Sequence, residues 1–429
     1  MNRRDFIIKS GLSSSIFSIV PSSVLGFNGV SPNNKIQIGF IGAGRQGRGL
    51  MKNFTEYNEC QIIAVSDVDS QKVDFFSEEF ENKILKDNEK KAYIKKFEFY
   101  REMLQNTSVD AVVIATPDHW HAQMSVDSAK YGKDIYCEKP LSSTISEGRA
   151  MVNSARKYKV VYQTGSMQRS WKHFRHASEL IQNGYIGEIK EVNVAIGDPH
   201  KQCDLPSLKA PDHLNWNEWI GPVTYRGYHP DLACLLEDKR WGQWRNYKPF
   251  GGGMITDFGA HMFDIVQWAL EMDNSGPKLF VPPKKNATLG LSYYYDNEVK
   301  VNHIKWGKGN NEIQFIGSEG KLEVSRRYLR TSPDKSLKDL IIPKNASKRV
   351  YQSDNHHLDW LNSIKNRTRP ICDVEIGHRT ASVCNICNIA YDLQRDLEWD
   401  AKKEIFVGDD SANLLIDRPY RGNWNYKEF

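Results

Sequence analysis

Apolar residues along this chain follow two different patterns. From Lys35 to about Ser170 they gather in short compact runs. Ile36, Ile38, Phe40 and Ile41 form the first; "QIIAV" (Gln61–Val65), Val112–Ile114 and "DIYC" (Asp134–Cys137) follow. Runs this short, with no alternation, suit strands of a parallel sheet covered on both faces. Each ends at glycine, proline or a polar break, and helix-like stretches lie between them. The pattern predicts a βαβ series in an open α/β sheet over residues 34–165. From "VVYQTGSMQRS", a strand and turn, the pattern changes. "HFRHASELIQNGYIGEI" reads as an amphipathic helix ending at Gly184, and "DNHHLDWLNSIKNRTRP" as another. "ATLGLSYYYDNEVKVNHIKW" alternates, and "NEIQFIGSEGKLEVSRRY" reads as two strands about a turn at Gly317–Gly320. A second domain, residues 166–429, is expected.

With 429 residues, the chain exceeds what one core usually supports. Hydrophobic content of 40% and charged content of 26% are ordinary for a globular protein. A net charge of +5, with no dense Lys/Arg stripe, argues against nucleic acid as a partner. Residues 1–30 differ. Arg3 and Arg4 precede Phe6 and a short Ser-rich apolar run, too short to span a bilayer. This reads as a cleavable twin-arginine export signal, with a periplasmic destination and no stable membrane anchor. Such export carries folded proteins, which suggests a cofactor bound beforehand. Seven scattered cysteines do not make a disulfide framework. Cys384 and Cys387 read as helix core, and the His173/His176 and His356/His357 pairs lack further ligands, so no metal is expected.

Candidate chemistry begins in "GFIGAGRQG". Gly42, Gly44 and Gly47 stand in G-x-G-x-x-G spacing between a strand and a helix. The first glycine serves the tight turn, the second lets the backbone approach a pyrophosphate, and the third lets the helix pack on the strand. The helix N-terminus then faces the phosphate, with Arg45 and Gln46 beside it. Asp67 ends the next strand roughly 20 residues on, where an acid bonds the ribose diol and repels a 2′-phosphate. NAD is therefore favoured over NADP, although Arg45 and Arg48 argue the other way. Thr116, Pro117, His119 and His121 follow the "VVI" strand, and Glu138-Lys139-Pro140 follows "DIYC". Strand carboxyl ends in an open α/β sheet border the ligand, so both loops are placed beside the cofactor. Asp118 and His121 can equally serve as a helix cap and its packing. A lysine held there can polarise a hydroxyl or take its proton.

Downstream, "GGGMITDFGAHMFDIVQW" (Gly251–Trp268) carries Asp257 and His261 four positions apart, one helical turn, so both are expected on one face. Before it runs an aromatic segment with Trp216, Trp219, Tyr225, Tyr228, Trp241, Trp244 and Tyr247, interleaved with His229, Arg226, Arg240 and Arg245. Aromatic faces suit sugar C–H faces and Arg or His suit hydroxyls, though about half of these rings are expected in a core. Gln168, Arg169, Tyr228, His229, Trp244 and Arg245 are the candidate substrate contacts, with Asp257 and His261.

These pieces resemble the glucose–fructose oxidoreductase, inositol 2-dehydrogenase and MocA family: "GFIGAGRQG", "AVSDVD", "ATPDHWH", "CEKPLS", Gly187–Ile189 and the Gly251–Trp268 stretch. The similarity runs from Lys35 over most of the chain. It implies an N-terminal Rossmann domain and a C-terminal α/β domain with a large, mostly antiparallel sheet. It implies a homo-oligomer, dimer or tetramer. It also implies that Lys139, Asp257 and His261 are catalytic, with His261 as general base at a near-neutral pKa, Asp257 orienting substrate and Lys139 polarising the hydroxyl. The reading is an NAD(H)-dependent oxidoreductase acting on a ring hydroxyl of a sugar, glycoside or cyclitol. Export removes any pool to recycle NADH, so the cofactor is expected to stay bound. The alternative is a glycoside hydrolase that oxidises, eliminates, hydrates and reduces, although that branch tends to lack the lysine retained here. A non-enzymatic sugar sensor is the third reading, which the complete trio disfavours.

Overall fold

The computed structural model describes residues 35–429, apart from 89–92, 106–107, 286, 307–308, 310, 423–425 and 427. The export signal read in residues 1–30 lies outside the described residues.

Six strands form the first sheet: β1 Ile36–Ile41, β2 Cys60–Ser66, β3 Lys95–Phe97, β4 Ala111–Ile114, β5 Asp134–Cys137 and β6 Tyr162–Thr164. Their order is β3-β2-β1-β4-β5-β6, parallel throughout. The order reverses between β1 and β4, which leaves a crevice at their carboxyl ends. All four residues of β4 and of β5 are buried, which explains why these runs do not alternate. Each fully buried Val or Ile there stabilises the sheet by about 1.5–3 kcal/mol. After β5, the helix Ile145–Tyr158 opens with a capping box. Thr144 Oγ1 accepts from the Glu147 N–H at 3.2 Å, and the Glu147 carboxylate accepts from the Thr144 N–H at 3.1 Å. This pins the far end of the loop that carries Lys139.

Nine strands form the second sheet: β7 Ile189–Ala195, β8 Leu279–Val281, β9 Ser292–Tyr294, β10 Lys300–His303, β11 Glu312–Gly317, β12 Lys321–Ser325, β13 Leu329–Ser332, β14 Leu397–Asp400 and β15 Ile405–Phe406. The order is β13-β12-β11-β7-β10-β9-β8-β14-β15. β7 and β10 pair parallel, and the other neighbours pair antiparallel. Helices Lys172–Gln182, Gly259–Ala269 and Val374–Leu393 share one core with its inner face. Cys384 and Cys387 are buried in the last of these.

The C-terminal part of the chain also completes the first domain. Trp360, Leu361 and Ile364 of helix His356–Asn366 join the core of β1, with the Trp360 ring 5.7 Å from that of Phe54. Among the described residues no helix is long and apolar enough to cross a membrane.

Candidate active site

A cavity of about 700 Å³ lies at the carboxyl ends of the parallel strands, closed by the second domain. At one end is the glycine turn. Gly42 has φ +101°, and a Cβ there would meet the Ala115 carbonyl oxygen at 2.7 Å. A Cβ on Gly47 would meet the Gly42 oxygen at 2.1 Å, so this glycine lets the helix pack rather than touching the cavity. Gly44 borders the cavity, and a Cβ on it would find no protein atom within 4 Å. The helix Arg45–Phe54 starts there with no acidic residue in its first turn. Open space at a helix N-terminus, whose first N–H groups donate to an anion, fits a pyrophosphate. Asp67 sits beside it at the end of β2. Its Oδ2 accepts from the Ala43 N–H at 2.7 Å and its Oδ1 from the Asp69 N–H at 3.0 Å. Burial pushes its carboxyl pKa up. The residues therefore fit a dinucleotide.

At the other end stand the reacting candidates. Lys139 Nζ donates to Asp257 Oδ1 at 2.5 Å and to the Asp257 carbonyl at 2.9 Å. Arg245 Nε lies 3.8 Å from the same Oδ1. Burial opposes the Asp257 charge, but Lys139 and then Arg245 outweigh it, so the carboxyl lies below its ordinary pKa. His261 borders the same space and is 5% exposed. Burial, then Lys139 and Arg326, hold its imidazole well below the ordinary histidine value, not near neutrality as expected. The ring is neutral, and among the described residues its buried Nδ1 has no hydrogen-bond partner.

The expected continuous helix through Asp257 and His261 is broken. One helix spans Gly253–Asp257 and the next Gly259–Ala269. At the join, the Phe258 carbonyl accepts from the N–H groups of both His261 and Met262 at 3.0 Å, a tightened turn. Both side chains nevertheless reach the cavity. Gly253, at φ +67°, is required because a Cβ would lie 2.4 Å from Pro199.

Gly42, Gly44, Arg45, Gln46, Asp67, Thr116, Pro117, Glu138, Lys139, Trp244, Arg245, Asp257 and His261 border the cavity. Other expected contacts do not. Arg169 is 1% exposed and locked between Asp264 and Asp273 at 2.7–2.9 Å. Gln168 is fully buried and braces its neighbours. Tyr228 is buried in the aromatic cluster, its hydroxyl on the Ala233 carbonyl at 3.3 Å. His229 Nδ1 accepts from the Asp231 N–H at 3.1 Å. His119 lies beneath Trp219, its Nε2 3.0 Å from the Trp219 carbonyl, and burial lowers its pKa to about 3. His121 sits between the Pro140 carbonyl at 2.8 Å and the Thr116 carbonyl at 3.1 Å, and burial lowers its pKa to about 4. These two histidines tie loops together and do not line the cavity.

Sequence reasoning missed Arg326, which borders the cavity from the turn after β12; Asp118, open in the sequence between a cap and a contact, is the first residue of its helix and borders the cavity. Nothing in "LEVSRRY" separates Arg326 from an ordinary surface arginine. Of the aromatic segment, Trp219, Trp241 and Trp244 border the cavity, while Trp216, Tyr228 and Tyr247 pack in their own cluster.

Comparison with known proteins agrees with this fold. Residues 36–166 match the family model described as "Oxidoreductase family, NAD-binding Rossmann fold", and residues 199–426 match "Oxidoreductase family, C-terminal alpha/beta domain". Over 164 residues the chain is 27% identical to a myo-inositol 2-dehydrogenase of Thermotoga maritima, covering 38% of this chain and 46% of that protein. Over 138 residues it is 33% identical to a glycosyl hydrolase family 109 protein of Shewanella woodyi, covering 31% and 28%. Each match thus spans less than half of the curated relative. The fold is that of scyllo-inositol dehydrogenase from Lactobacillus casei, solved with NAD(H) and scyllo-inositol. That likeness has a TM-score of 0.55 at 17% identity, over 85% of this chain and 99% of that one. With both domains matched in order, the chain belongs to the Gfo/Idh/MocA oxidoreductase family.

Proposed function

We propose that the protein is an NAD(H)-dependent oxidoreductase that moves hydride to or from a ring hydroxyl of a sugar, glycoside or cyclitol, with its cofactor retained. One observation carries this reading: Lys139, Asp257 and His261 converge at one end of a cavity whose other end is the glycine cradle. NAD, when bound, supplies the hydride acceptor. Neutral His261 has a lone pair to take the hydroxyl proton. Lys139 donates a hydrogen bond to the same oxygen and stabilises negative charge that develops there. Ionised Asp257 holds the Lys139 ammonium in place and can accept from a neighbouring hydroxyl. Trp219 and Trp244, both largely buried, add apolar surface to the cavity wall.

Retention is supported by the Leu232–Arg245 stretch of the second domain, which borders the cofactor end; there the Arg45 guanidinium lies 5.3 Å from the Trp241 ring centre. Preference for NAD over NADP is supported by Asp67, and by Glu79, which pairs with Arg48 at 3.0 Å and offsets its charge. Export to the periplasm, read from Arg3 and Arg4, and a homo-oligomeric state complete the proposal. The glycosidase reading stands second, favoured by the 33% identity to the family 109 protein.

The test uses purified protein without added cofactor. Its absorbance and fluorescence are recorded for bound NAD(H), and sugars and aryl glycosides are then added. A persistent rise at the NADH band supports the oxidoreductase. Aglycone release with no lasting change in the cofactor replaces it with the glycosidase.

A further inference from the structure

The charge at the substrate end of the cavity narrows the substrate class; this inference rests on the carbohydrate reading above. Lys139, Arg245 and Arg326 border that end, against the carboxyls of Asp257, Asp118 and Glu138, the last with its pKa raised by burial against the pull of Lys139. Asp257 is already engaged by Lys139 and, through the same Oδ1, by Arg245. Burial pushes the Asp118 carboxyl pKa well up, so it offers little compensating charge.

Arg326 stands apart. Among the described residues no carboxylate lies within ion-pair distance of it, yet its head is held from two sides. Its Nε donates to Gln168 Oε1 at 2.7 Å. Gln168 is fully buried, and its own amide donates to the His261 carbonyl at 3.3 Å. The guanidinium also lies 5.3 Å from the Phe258 ring centre and 5.5 Å from that of Trp171. A surface arginine with no task does not need a buried glutamine aligned behind it. The bracing uses Nε and the flat face, which leaves the two terminal nitrogens for a ligand. That edge matches an oxyanion through two parallel hydrogen bonds. Phe258 and His261 put it at the reacting end, away from the Gly44 cradle that fits the pyrophosphate. Lys139, Arg245 and Arg326 face one carboxyl held below its ordinary pKa and two raised by burial, so positive charge is under-compensated there and an anionic substituent on the substrate relieves it.

We infer that the substrate is an acidic sugar, its oxyanion held by Arg326 while the adjacent ring hydroxyl meets Lys139 and His261. A uronate carboxylate and a sulfate ester share this chemistry.

The test compares a methyl glycoside, the 6-sulfate of that glycoside and the matching methyl uronide on NAD-loaded enzyme, by hydride transfer and by binding calorimetry. Wild type, Arg326→Gln and Arg326→Lys are compared, with bound NAD as the check on folding. Wild type should prefer an anionic sugar by about 100-fold, the scale of two charge-assisted hydrogen bonds. That ratio should collapse to a few-fold in R326Q and survive partly in R326K. The uronide and sulfate arms show which oxyanion is taken. Charge-blind binding, a ratio unchanged in R326Q, or no binding of any anionic sugar overturns the inference. Arg326-dependent selectivity in binding without hydride transfer upholds it and removes the oxidoreductase reading instead.

Discussion

Replacing Lys139 by methionine keeps the length and packing of the side chain but deletes its ammonium. In the structure that ammonium is fixed by two acceptors on Asp257, at 2.5 and 2.9 Å, so it is already oriented before substrate arrives. A positioned proton donor or acceptor contributes about 10²–10⁴ to rate, which is about 3–5 kcal/mol of barrier. His261 remains in the variant, so the lower half of that range, about 10²–10³-fold, is expected in hydride transfer. A second effect follows from the same contact. Asp257 loses its nearest cation and keeps Arg245 at 3.8 Å, so its carboxyl pKa rises and activity should fall off at a higher pH on the acid side. Single-turnover absorbance at the NADH band measures the rate, and cofactor fluorescence measures occupancy. A loss under about tenfold, against the 10²-fold floor for acid–base groups, or a loss that merely tracks cofactor release, would refute the assignment.

Asp67→Ala should weaken NAD and raise the NADP-to-NAD affinity ratio, since the carboxylate that faces a 2′-phosphate is gone; an unchanged ratio removes Asp67 from ribose recognition. Gly42→Ala should abolish NAD binding or folding of the first domain, because φ +101° and the 2.7 Å approach to Ala115 leave no room; retained cofactor at wild-type occupancy would contradict this. His119 and His356 are held neutral by burial at about 3. With folded values below the unfolded value, the unfolded state binds more protons under about pH 6.5, so stability falls as pH drops through that point. At pH 5 each costs about 2 kcal/mol relative to pH 7. Melting curves between pH 7.5 and 5 should show a steep decline, and His119→Gln should lessen it; a flat profile would mean these rings are not buried as neutral bases.

The first sheet was legible because its signals are local. Glycine spacing reflects backbone stereochemistry, and an unbroken apolar run reflects burial on both faces, so neither needs knowledge of distant contacts. The same holds for Asp67 and Lys139, whose positions at strand ends follow from the topology. The helix break at Phe258 was not legible, because residues 253–261 have helical spacing and the tightened turn shows only in the hydrogen bonds to the Phe258 carbonyl.

The substrate side shows the limit most plainly. Gln168 and Arg169 leave a strand where a ligand contact is reasonable, but Asp264 and Asp273, about a hundred positions on, enclose Arg169 in the core. His119 and His121 lie next to the cofactor loop in sequence, yet Trp219 and Pro140 take up their ring nitrogens. Arg326 reaches the cavity from a hairpin of the second sheet, and its brace comes from 158 positions away. Local spacing by itself determined the glycine turn and the change from a parallel α/β series to antiparallel strands, because each rests on neighbouring residues; Lys139, Asp257 and His261 come from separate elements and are pointed to by the family resemblance. Only the tertiary structure decided which polar side chains face the substrate, because that choice is a competition between a distant protein partner and an open cavity.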